Sequence, residues 1–116
     1  MRNFLVLLAL AFPLAATAAV PPLDDATRQL TRDIYKQLVE INTTESVGNM
    51  TTAAEAMAAR LRAAGFPAAD IFVGGASPKK ANLVVRYRGT GRRRPIFLLA
   101  HTDVVEAKRE DWTMDP

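Results

Sequence analysis

Pro95-Ile96-Phe97-Leu98-Leu99-Ala100-His101-Thr102-Asp103-Val104-Val105 is an apolar run that ends in the only histidine of a 116-residue chain. An aspartate follows two residues later. Ile96 to Ala100 is short, apolar on both faces and bounded by a proline, which reads as a strand buried on both sides. Open α/β sheets place their chemistry at the ends of such strands. If the backbone stays extended through Asp103, side chains at i and i+2 share a face. His101 and Asp103 then point the same way and Thr102 points opposite. An imidazole with a carboxylate beside it is a common arrangement for a metal ligand and the group that orients it.

Working outward, Asn82 to Arg88 reads as a strand, with Leu83, Val84, Val85 and Tyr87 apolar. Ile71 to Val73 reads as a shorter one, broken by Gly74-Gly75. Gly89-Thr90-Gly91-Arg92-Arg93-Arg94 connects the second strand to the opening stretch. Glycines and arginines suit anions, but no helix follows to aim its amides at a phosphate, so a solvated hairpin loop is the reading preferred. Upstream, Ala53 to Ala64 is an alanine-rich helix. Its expected opening is the capping box Thr52-Ala53-Ala54-Glu55. Its stop is Gly65 with Pro67 beyond. The alanines predict close packing against a sheet. A first helix runs from a cap at Asp24 or Asp25 to about Ile41. Ala26, Leu30, Ile34, Leu38 and Ile41 form one apolar stripe on it, expected to pack on a core. Between the helices, Asn42-Thr43-Thr44 and Asn49-Met50-Thr51 match the glycosylation acceptor pattern, common by chance in polar loops. Downstream, Trp112 is expected to plug the sheet edge or to wall a pocket.

Met1 to Ala18 reads as a secretory signal: Arg2, the apolar run Phe4 to Phe12, then Ala16-Thr17-Ala18 as a small-x-small cleavage pattern. An uncleaved N-terminal anchor is the other reading. The apolar core falls short of the roughly 20 residues that span a bilayer. Export to a periplasm or beyond follows, with no membrane span after cleavage. Residues 19 to 116 then form the mature portion.

Fifteen basic and 12 acidic residues give a net charge of +3, or +2 without Arg2. That balance does not argue for nucleic acid or an anionic membrane as partner. The absence of cysteine excludes disulfides, thiolate zinc sites and thiol nucleophiles. With a single histidine, a metal site must be rich in carboxylates or draw ligands from elsewhere. A strand buried on both faces needs a neighbour on each side and cover above and below. Two helices and two other strands barely provide that. The expectation is therefore the front part of a longer protein.

Leu98-Leu99-Ala100-His101-Thr102-Asp103-Val104-Val105, followed by Trp112-Thr113-Met114-Asp115-Pro116, resembles the first signature of a zinc metallopeptidase family. That family contains aminoacylase, acetylornithine deacetylase, succinyl-diaminopimelate desuccinylase and glutamate carboxypeptidase. Leu38-Val39-Glu40-Ile41-Asn42-Thr43, the loop to Gly48-Asn49 and a helix ending at Ala64-Gly65-Phe66 resemble its opening. The resemblance implies an α/β fold, here the incomplete N-terminal part of a zinc-exopeptidase-like α/β/α catalytic domain. It implies that His101 binds one ion of a two-zinc centre, or another divalent metal, and that Asp103 is a catalytic residue that orients that histidine. It implies hydrolysis of a peptide or an N-acyl amino acid. It also implies a bridging aspartate, a glutamate pair, a last histidine and a smaller domain serving homodimer formation, all beyond residue 116. Glu106 stands where many relatives carry proline. The contrasting expectation is a small exported binding or structural domain, with His101 a structural histidine and Asp103 its hydrogen-bond partner.

Overall fold

A computed structural model describes residues 21–115. The proposed signal segment, residues 1–18, lies outside them. The described elements are α1 (Asp25–Glu40), α2 (Met50–Ala63), β1 (Ile71–Gly75) and β2 (Ala81–Val85), with short 3-10 turns at Ala68–Asp70 and Arg109–Asp111. Helices and a small sheet are thus both present, a mixed α/β composition. No helix among the described residues is long and apolar enough to cross a membrane.

α1 begins where Asp24 accepts the Thr27 backbone N–H at 2.6 Å. That bond, to one of the amides left without a partner at a helix start, holds the Asp24 carboxyl below its ordinary value. The apolar stripe is present, but none of its residues is buried. Ile34, Leu38 and Ile41 are half-covered, whereas Leu30 is 52% exposed. The tie to α2 is polar: Arg60 Nε donates to Gln37 Oε1 and Arg60 Nη2 donates to the Asp33 carbonyl.

α2 starts earlier than its sequence suggests. Asn49, not Thr52, is the cap, and its side-chain oxygen accepts the Thr52 N–H at 3.2 Å. Thr52 is therefore spent inside the first turn. Asparagine caps as well as threonine does, and here it lies next to the loop that must turn the chain. The stop is as expected: Gly65 sits at φ +86°, the left-handed conformation that glycine adopts without penalty.

Ala53, Ala54 and Ala58 are the buried residues of α2, and Ala81 of β2 is buried too. Side chains this small let the helix axis approach the strands closely. β1 and β2 pair antiparallel in the register Ile71↔Val85 through Gly75↔Ala81. Gly74 and Gly75 therefore continue the first strand rather than break it. Thr51 ties the start of α2 to the hairpin: its hydroxyl donates to the Pro78 carbonyl (2.8 Å) and accepts the Ala81 N–H (3.1 Å).

The expected strand at Ile96 to Ala100 is extended but joins no ladder among the described residues. Its large side chains are 80–87% exposed, so it is not buried on both faces. The reason is partnership, since the described residues put no strand beside it. For the same reason Gly89 to Arg94 is an exposed connection and does not close a hairpin. Trp112 is 51% exposed, caps the turn at Arg109–Asp111 and covers no sheet edge.

Candidate functional site

The backbone through His101, Thr102 and Asp103 lacks regular hydrogen bonding, and proximity in sequence brings the two polar side chains together. His101 Nδ1 lies 2.9 Å from the Asp103 carbonyl oxygen and 3.4 Å from its carboxylate Oδ1. A carbonyl oxygen can only accept, so Nδ1 carries the proton and Nε2 keeps its lone pair. That is the tautomer a metal-binding imidazole needs. The two side chains are exposed, His101 at 85% and Asp103 at 61%.

What holds this pair to the rest of the protein is narrow. Val104 N–H donates to the Thr43 carbonyl (3.4 Å), and Thr44 and Val104 form an isolated parallel bridge. Ser46 Oγ donates to Glu106 Oε1. All these contacts use the loop from Asn42 to Gly48. Asn42 shapes it by accepting the Thr44 N–H at 3.0 Å, and the Asn49 N–H closes it on the Asn42 carbonyl at 2.9 Å. A Cβ at Gly48 would sit 2.3 Å from the Thr44 nitrogen, so only glycine permits this crossing. Thr43 is buried at its centre. The sequence marked this loop as polar and turn-prone. It carried no signal that Ser46 would meet Glu106, the residue that replaces the expected proline.

Beside the pair lies an open groove of about 1130 Å3. One wall is β2 with Lys80, the other is Phe97 to Asp103, and Met50 contributes to the lining. His101 and Asp103 lie at one end of the extended wall.

A second, smaller hollow of about 320 Å3 lies between the end of α2 and the residues following β2. Asp70, with its side chain 1% exposed, is held there by Arg88 through two bonds of 2.7 and 2.8 Å. Those hydrogen bonds, with the charges of Arg88 and Arg86, keep the Asp70 carboxyl below its ordinary value. The pair stitches the turn after α2 to the chain leaving β2, a structural task.

Among the described residues, no group of three His, Asp or Glu side chains is placed to hold a metal ion. The donors at this site are one imidazole and its orienting carboxylate, fewer than the three protein ligands of a catalytic zinc site. No protein-family model, curated protein or solved structure matches this chain.

Proposed function

We propose that the chain is the N-terminal part of an exported, zinc-dependent metallopeptidase or amidohydrolase that cleaves a peptide or an N-acyl amino acid. The reading rests on the motif His101-x-Asp103-Val104-Val105 with Trp112-x-x-Asp115-Pro116. The observation that carries it is the bond from His101 Nδ1 to Asp103, which leaves Nε2 free at the end of an extended apolar segment. In this reading His101 holds one metal ion, and Asp103 fixes the tautomer and raises the basicity of the ring. Bound zinc supplies Lewis acidity and a water of lowered pKa. The remaining ligands and the general base belong to later residues of a longer polypeptide, so the present chain alone holds zinc poorly and does not turn over.

The competing reading is a non-catalytic exported domain. It is favoured by the absence of a second and third ligand near His101 among the described residues. One experiment separates them. In the longer polypeptide, His101→Ala is expected to lower zinc content and abolish hydrolysis of N-acyl amino acids and dipeptides, and Asp103→Ala to slow turnover while leaving the fold intact. Unchanged zinc stoichiometry and activity in His101→Ala would sink the proposal.

A further inference from the structure

The groove between β2 and Phe97–Asp103 has the dimensions of one missing strand. A strand of five to seven residues, at about 3.3 Å per residue, about 4.8 Å of spacing and about 10 Å of layer thickness, fills roughly 800–1100 Å3. The groove measures about 1130 Å3. Its first wall has backbone groups to offer. The Arg86 N–H donates to the Asp70 carbonyl and fixes the phase of the β1–β2 ladder. In that phase the amides of Ala81, Leu83 and Val85 point away from β1, toward the free edge. Thr51 takes the Ala81 N–H, which leaves Leu83 and Val85 for an incoming strand. The second wall, Phe97 to Asp103, is extended and belongs to no ladder among the described residues.

The lining is apolar at Met50, Leu83, Val84, Val85 and Phe97 to Ala100. The occupant must therefore be a short extended segment, apolar on both faces. Among the described residues outside the sheet, one segment has that character: Ile96 to Ala100 itself. We infer that two copies of this chain dimerise by inserting their Ile96–Ala100 segments reciprocally, each into the other's groove. The strand order is then β1, β2, the partner copy's segment, the chain's own segment, the partner copy's β2 and the partner copy's β1.

A two-fold axis between the two central segments makes them antiparallel and fills both grooves at once. The interface is isologous and closed, and it covers the row of unpaired backbone groups that would otherwise template open-ended association. The area suffices. Ile96, Phe97, Leu98 and Leu99 are each at least 80% exposed. At roughly 150 Å2 or more for each large apolar side chain, they bring a copy's share to on the order of 600–800 Å2, against about 800 Å2 per partner in a standard stable interface. This surface differs from the homodimer contact implied by the resemblance, which belongs to a smaller domain beyond residue 116. The inference does not rest on the zinc reading.

The chain has no cysteine, which makes the test clean. Facing residues of antiparallel strands have Cα atoms about 4.5–5.5 Å apart, within disulfide reach. Phe97→Cys, Leu98→Cys and Leu99→Cys variants of the 116-residue chain would be oxidised singly and as mixtures of neighbours, and native masses read by light scattering. The expected result is a dimer at micromolar concentration, with a disulfide-linked dimer at the position or neighbouring pair on the axis. Leu98→Lys should give a monomer with unchanged circular dichroism. A monomeric unmodified chain overturns the inference, and is what a groove filled by another protein, or by a later strand of a longer polypeptide, would give. A dimer that no substitution cross-links, or a ladder of larger species, overturns it as well.

Discussion

β2 and the segment Ile96–Ala100 are five-residue runs of similar apolarity with opposite fates. β2 pairs along its length with β1, receives α2 on one face and buries Ala81. Ile96–Ala100 has the stronger hydrophobic sequence and stays exposed. The difference lies in what each finds nearby. β1 is reached through the short loop after Gly75, and α2 offers a face of alanines that fits against the strands. Ile96–Ala100 finds only the loop from Asn42 to Gly48, which grips the residues after it and not the run itself. Apolarity says that a segment must be covered, and only a partner of the right shape settles where.

The comparison can be broken most sharply at Ala58, which is fully buried between α2 and the sheet. Ala58→Leu inserts volume where the close approach leaves none, and should cost about 1–3 kcal/mol in urea unfolding. A neutral result would mean that α2 does not rest on the strands. Next comes a matched pair of truncations. Val85→Ala in the half-buried strand should cost about 1 kcal/mol, whereas Val105→Ala, at a side chain 93% exposed, should stay within about 0.5 kcal/mol. Equal costs would erase the distinction between the two regions.

The smallest effect at neutral pH belongs to Asp70. Its carboxyl is held below 3.8 by Arg88 and Arg86. The folded state therefore binds fewer protons than the unfolded one just below neutrality's plateau. The stability this contributes is fully present above the unfolded value and is lost as pH falls through the lower folded one. The urea midpoint should hold steady down to about pH 5 and then drop toward about pH 1. Asp70→Asn should remove its part of that drop. A wild-type and variant pair with parallel pH profiles would show that the ion pair does not stitch β2 to the end of α2.

Much of the paired unit was legible in the sequence. The alanine-rich helix, its glycine stop at Gly65 and two neighbouring strands follow from propensity and turn chemistry, which act over a few residues. The cap moved from Thr52 to Asn49 because two good capping residues compete within one loop and the sequence does not rank them. The coverage of α1 and of Ile96–Ala100 was not legible. Periodicity reports a face and is silent on whether anything lies against it. At the site, the spacing of His101 and Asp103 was sufficient to bring them together, because an extended backbone makes that contact local. The Ser46–Glu106 contact joins residues 60 apart, and no local pattern encodes it.

That separation bears on the order in which the chain is built. The hairpin and α2 close on contacts contained between Met50 and Arg88, and such local units form quickly because little chain entropy must be given up first. The grip of Thr43 and Ser46 on Val104 and Glu106 encloses that whole unit. It can form productively only after the unit has condensed and brought the two ends near. The histidine and aspartate are thus among the last residues to be placed as the chain folds. Gly48, buried in the loop that grips them, acts on a late step: a side chain there would leave the early unit intact and strand the final one.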